Sequence, residues 1–214
     1  MSEQALREEI VAVAQAIDKA GFCPSKSGNV SARVGDGFLI TPSGLPYART
    51  KPEDLIHLAH DGAVLSGSRK PSSEWPFHVA IYKARPDAEA IVHTHSPRAT
   101  ALSCARRGIP AFHYMIALCG GSDVRCADYA TFGSPELAAN AVAALEGRKA
   151  VLLANHGVIA LGASLAGAHT IVAEVENLAG QYLDLLASGL EPEILDEAEM
   201  ERVSAKFAGY GKVG

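Results

Sequence analysis

The chain has little cysteine and none of it is paired in sequence. Its four cysteines, Cys23, Cys104, Cys119 and Cys126, form no C-x-x-C pair, so neither a disulfide framework nor a zinc knuckle is expected and all four read as reduced thiols. No apolar stretch approaches the roughly 18 residues that a membrane helix requires. The opening segment 1–21 carries acidic residues throughout and lacks the charged-then-apolar order of an export signal; a cytoplasmic location is expected. Positive charge is also in short supply. Nineteen Lys and Arg face 24 Asp and Glu, a net charge of −5, which argues against nucleic acid or an anionic membrane as the main partner. An anionic substrate would therefore need local positive charge, from a metal or from oriented backbone amides. Repeats, low-complexity runs and linkers are absent. With 214 residues, 48% of them hydrophobic, the chain can bury a full core, and residues 1–214 read as a single domain.

What is present is an alternation of helical and strand-like patterns. Leu6, Ile10, Val13, Ala14 and Ile17 recur at helical spacing over 3–20, and Gly21 marks the stop. Strands are predicted at 30–34 and 37–41 around Gly35-Asp36, and at 55–58 before the turn Asp61-Gly62. Helices follow at 75–84, 97–107, 135–145 and 165–186, the third opened by Ser134. Further strands are predicted at 88–95, 114–117, 150–154 and 158–161, with a polar tail closing the chain. This is a mixed α/β pattern.

The strongest local signal is Val92-His-Thr-His-Ser-Pro97. Residues two apart on a strand share a face, about 6.6 Å apart along the chain, so His93 and His95 can converge on one ion. A pair of structural histidines would show the same spacing. A third histidine, His156, sits where the apolar run 151–154 breaks at Asn155-His-Gly157, and Gly157 permits close approach of backbone to a ligand. Three neutral imidazoles with an open position describe a catalytic metal site, although spacing alone does not bring His156 to the other two. Glu74 has two readings: a first-turn glutamate favoured by the helix dipole, or a carboxylate beside the metal. Ser72-Ser73, Ser27-Gly28-Asn29 and Ser43-Gly44 are small, polar and rich in exposed amides, the character of an anion nest as well as of an ordinary turn.

Taken in order, the segments S-G-N-V-S (27–31), T-P-S-G (41–44), S-S-E-x-x-x-H (72–78), H-T-H-S (93–96) and N-H-G (155–157) resemble the class II aldolase/adducin family over nearly the whole chain. The stretches His113–Ala117 and Tyr129–Gly133 agree with it. The resemblance implies a three-layer α/β/α domain with a central, largely antiparallel sheet. It also implies a homotetramer with active sites at subunit interfaces. Zinc, with manganese or cobalt as substitutes, would be held by His93, His95 and His156, with Glu74 as a displaceable fourth ligand and acid/base. Substrate phosphate would sit among Gly28, Asn29, Ser43, Gly44, Ser72 and Ser73. Tyr114 would serve the neighbouring subunit's site, and Tyr210, in a mobile tail at about 200–214, would help close it.

The implied reaction is reversible cleavage of a ketose 1-phosphate, L-fuculose 1-phosphate or a similar sugar phosphate, to dihydroxyacetone phosphate and an aldehyde. Relatives acting on 5-deoxyribulose or methylthioribulose 1-phosphate, and sugar-acid phosphate decarboxylases, are alternatives. Sugar-phosphate 4-epimerases of the family carry aspartate where this chain has Glu74, which disfavours them. Retention of all four ligand residues disfavours an adducin-like interaction module. His57, His60, His78, His113 and His169 are left with structural or supporting roles, His78 being the one that lies a helical turn beyond Glu74.

Overall fold

Strands too apolar to alternate with polar residues must be covered on both faces, and the computed structural model, which describes residues 2–209, shows how. The strands are β1 (Asn29–Val34), β2 (Gly37–Ile40), β3 (Ile56–Ala59), β4 (Val64–Ser66), β5 (Ala90–Thr94), β6 (Arg125–Ala127), β7 (Ala150–Leu153) and β8 (Gly157–Gly162). They form one eight-stranded sheet in the order β4-β3-β2-β1-β5-β8-β7-β6. Every pairing is antiparallel except that of β6 with β7.

The helices are α1 (Glu3–Lys19), α2 (Trp75–Ala84), α3 (Pro97–Cys104), α4 (Pro135–Ala144), α5 (Leu165–Ser188) and α6 (Glu197–Gly209). The two-residue period of the strands sorts them into layers. Ala90, Val92, Leu152, Val158 and Ala160 point into a core shared with α1, α3 and α5. Their chain neighbours Ile91, Val151, Leu153, Ile159 and Leu161 join α2 and α4 on the opposite side. The result is the expected three-layer α/β/α arrangement with a mostly antiparallel sheet. No helix among the described residues is long and apolar enough to cross a membrane.

Two local expectations need correction, and two short strands go unpredicted. The strand predicted at 114–117 is a 3-10 helix, Tyr114–Cys119. A short apolar run carries no period to separate the two, and the ends decide: His113 accepts a hydrogen bond from the Met115 amide, and Gly120 closes the helix at a φ of 90°. Strands β4 and β6 are only three residues each, too short for a period-two signal. Where the sequence predicts a polar tail, Glu197–Gly209 is helical, with Met200 buried and Val203 and Phe207 packed on the same core.

Candidate metal centre

His93 shares the parity of Ile91 on β5, so its ring faces the α2 layer. Register puts it between Asn29 of β1 and Ile159 of β8. His95 lies just past the end of β5. His156 occupies the turn from β7 to β8, where Asn155 has a φ of 55°. That turn is held by the end of α3: the Asn155 amide donates to the Ser103 carbonyl at 2.9 Å and the His156 amide to Ser103 Oγ at 3.3 Å. Glycine is required beside it, since a Cβ on Gly157 would come within 2.4 Å of the Thr94 carbonyl and 3.1 Å of the His95 ring. Gly28 is similar, where a Cβ would meet the His93 carbonyl at 2.6 Å. Glu74 is the residue before α2, and its side chain makes no helix-capping bond, so the carboxylate is available elsewhere.

These four residues meet. His93 Nε2 is 3.1 Å from His95 Nε2 and 3.1 Å from Glu74 Oε2, and His156 Nε2 is 3.0 Å from Glu74 Oε1. All four donor atoms lie within 4.8 Å of one another. Ligands bound tetrahedrally at about 2.1 Å to one ion stand about 3.4 Å apart, so the set fits a single small divalent cation. Two further observations agree. His93 Nδ1 donates to the Val158 carbonyl at 3.0 Å, which leaves a lone pair on Nε2 aimed at the cluster. Glu74 Oε1 is buried without a well-formed hydrogen bond, as a metal-ligand oxygen would be.

Electrostatics hold two of these residues, His95 and Glu74, in their binding forms. Burial, reinforced by His93 and His156, pushes the His95 imidazole down to about 3, so it is neutral. Burial alone would raise the Glu74 carboxyl, but His93 and His156 outweigh it and hold the group well below the usual carboxylate range.

A cavity of about 300 Å³ opens over the cluster. Glu74, His95 and His156 are at its floor, and Gly28, Ser43, Gly44, Ser72 and Ser73 stand in its wall. Asn29 is not in that wall. It is fully buried, and its amide donates to Ser72 Oγ at 3.1 Å and to Glu74 Oε2 at 3.0 Å. Tyr114 is also apart from the cavity in this chain; half exposed, it stacks on Phe207 at 6.3 Å between ring centroids. Tyr210 lies outside the described residues, as does the end of the expected tail.

Lys26, which from sequence reads as a solvated surface lysine sooner than as support for anion binding, lines the cavity, as do Tyr129 and Phe132, which sequence reasoning did not assign to it. The signal for the aromatic pair was compositional: a small-residue loop that displays rings 54% and 65% exposed.

Comparison with known proteins agrees with this geometry. Residues 8–183 match the family model described as "Class II Aldolase and Adducin N-terminal domain". A 5-methylthioribulose-1-phosphate/5-deoxyribulose-1-phosphate aldolase from Rhodospirillum rubrum is 51% identical over 98% of this chain and 94% of its own length. An L-fuculose phosphate aldolase from Escherichia coli K12 is 42% identical over 99% of this chain and 98% of its own length. The solved structure of an L-fuculose 1-phosphate aldolase superposes with a TM-score of 0.93 at 41% identity, covering 97% of this chain and 98% of the other. On a family match of this extent, with aldolases among its relatives, the chain belongs to the class II aldolase and adducin family, in its aldolase branch.

Proposed function

We propose that this protein is a zinc-dependent aldolase that cleaves a ketose 1-phosphate, L-fuculose 1-phosphate or a close analogue, to dihydroxyacetone phosphate and an aldehyde. The observation that carries the reading is the convergence of Glu74 on His93, His95 and His156 at the floor of a cavity walled by serines and glycines. His93, His95 and His156 would hold the metal, with Glu74 as the displaceable fourth ligand. A divalent ion bound there supplies Lewis acidity for the negative charge that develops on substrate oxygens.

The remaining steps belong to the chain's own residues. Hydroxyls and amides of Gly28, Ser43, Gly44, Ser72 and Ser73 bind and orient the phosphate without a large positive field, in keeping with the net charge of −5. Asn29 acts beside them by anchoring Ser72 and Glu74. As the C3–C4 bond breaks, the departing three carbons form an enediolate, and Glu74 returns a proton to its carbon; in synthesis it removes that proton. Tyr114 of a neighbouring subunit exchanges a proton with the oxygen of the aldehyde half. Tyr210 is assigned to closing the site by family resemblance alone. The proposal includes a cytoplasmic homotetramer, with 1–214 as one catalytic unit.

A second reading of the aldehyde half has a specific basis. The relative that is 51% identical acts on methylthioribulose and 5-deoxyribulose 1-phosphates, substrates with an apolar end, and Phe132 puts an apolar ring in the cavity wall. The test is dihydroxyacetone phosphate release by metal-replete and chelated enzyme from L-fuculose, L-ribulose, 5-deoxyribulose and methylthioribulose 1-phosphates. Metal-dependent release supports the aldolase, and the fastest substrate names the aldehyde. Epimerisation without release would overturn it.

A further inference from the structure

Helix α2 and strand β1 lie against each other with nearly matched pitch. Four helical residues advance about 6 Å and two strand residues about 6.6 Å, so Glu74, His78 and Tyr82 can stand opposite Asn29, Ser31 and Arg33 rung by rung. They do. His78 Nε2 is 2.5 Å from Asn29 Oδ1, its Nδ1 is 2.7 Å from Ser31 Oγ, and Ser31 Oγ is 2.8 Å from Tyr82 OH. Arg33 closes the column, its guanidinium 4.6 Å from the centre of the Tyr82 ring. Asn29, Ser31 and His78 have no exposure at all.

The direction of the chain follows from its end. Glu74 is ionised and can only accept, so Asn29 must turn its NH2 towards Glu74 Oε2 and its oxygen towards His78. His78 must then donate from Nε2, which leaves Nδ1 to accept from the Ser31 hydroxyl, and Ser31 in turn accepts from Tyr82. Each link donates towards Glu74. The reverse order would set the Asn29 oxygen against the carboxylate. A neutral His78 is required, and burial, with His93 adding, pushes its pKa down to about 3.

We propose that Tyr82, Ser31 and His78 form a one-way hydrogen-bond chain that acts through Asn29 to clamp Glu74 Oε2, so that Oε1, the oxygen on the His156 side, is the one that carries the proton. His78 is thus a positioning residue, and the inference rests on the reading of Glu74 as the acid/base.

The test uses zinc-loaded enzyme and dihydroxyacetone phosphate alone, following exchange of the hydroxymethyl hydrogen with solvent deuterium. That half-reaction isolates the proton transfer from bond cleavage. His78→Phe is expected to slow exchange about 10- to 100-fold, the usual cost of losing an outer-shell partner, with zinc content unchanged. His78→Gln should recover most of the rate, because one amide can accept from Ser31 and donate to Asn29. Ser31→Ala should cost about two- to tenfold, one hydrogen bond's worth.

Wild-type exchange in His78→Phe, zinc loss parallel to rate loss, or equal loss in His78→Gln would overturn the proposal. Since His78→Phe can fail to fold, the His78 tautomer in wild-type enzyme, read from long-range 1H–15N correlations, gives an independent check: Nε2–H supports the chain and Nδ1–H overturns it. Glu74→Gln separates the two claims. If that variant still exchanges, the acid/base reading itself fails; if it does not, and His78→Phe exchanges normally, only the chain fails.

Discussion

The two faces of the sheet are filled by different rules. The side packed against α1, α3 and α5 is built almost wholly from aliphatic residues such as Val92, Leu152, Val172 and Leu178. The side packed against α2 and α4 has an apolar core too, centred on Phe38, Phe77 and Ile91, but buries Asn29, Ser31, Glu74, His78 and His93 beside it. Burying such groups costs free energy unless each finds a partner; here they join a connected network rather than isolated pairs, with Glu74 Oε1 alone of that set left without a well-formed hydrogen bond. One face maximises stability; the other spends some of it to hold ligands and a carboxylate in fixed orientations.

The largest effect should come from removing a ligand on the polar face. His93→Ala is expected to lose bound metal and turnover together, with activity below detection, because the residue sits between Glu74 and His95 and is wholly buried. Metal analysis beside the release assay checks it. Glu74→Gln should behave differently. Three imidazoles remain to bind the ion, while loss of an acid/base group costs about 10²- to 10⁴-fold in turnover. Equal metal loss in the two variants would show that Glu74 is mainly a ligand and would sink its acid/base role.

The apolar face offers the contrast. Leu152→Ala, at a fully buried position, is expected to cost about 2–5 kcal/mol of stability. Metal stoichiometry and kcat of the folded protein should be unchanged, since Leu152 points away from the cluster. Denaturant unfolding and metal analysis together test this; a fall in metal content without a fall in stability would break the division between the faces.

How far these faces were legible depends on what kind of signal each residue carries. His93 and His95 declare themselves because their pairing is local, two residues apart on one strand. His156 meets them only through the antiparallel register of β5 with β8, which aligns Thr94 with Val158, and no spacing rule contains that. On spacing alone Glu74 reads more readily as a first-turn glutamate; the missing capping bond and its contacts with His93 and His156 show that the carboxylate is turned to the cluster. Asn29 was placed in a phosphate nest by the company it keeps in sequence, whereas its side chain turns inward to Glu74 because β1 alternates and Asn29 shares the parity of Ser31. The layers themselves were readable from period two and period 3.6. The 3-10 helix at 114–119 was not, because its determinants are a capping histidine and a left-handed glycine rather than a repeat. Helix α6 had a sparse signal, Met200, Val203 and Phe207 at helical spacing, diluted by the charged residues around it.

The smallest predicted effect lies at the rim of the polar face and tests whether its electrostatics extend to the surface. Arg85, just beyond α2, grips Asp87 through two bonds of 2.8 and 2.7 Å and donates to the Leu145 carbonyl beyond α4 at 2.8 Å. The hydrogen bonds and charge of Arg85 hold the Asp87 carboxyl below its ordinary value of 3.8. A carboxyl depressed in the folded state stabilises fully above its unfolded pKa, and the contribution is lost as pH falls through the folded one. Asp87 has a side chain 63% exposed, so solvent screening limits the pair to about 0.5–1 kcal/mol. Asp87→Asn should therefore be less stable than wild type by about that much at neutral pH, and the gap should close as pH drops below about 4. Metal-free protein is the right material, so that acid release of the metal does not enter the comparison. A gap that persists unchanged in acid would mean that Asp87 acts through packing rather than charge, and that the ionic organisation of this face stops at its buried column.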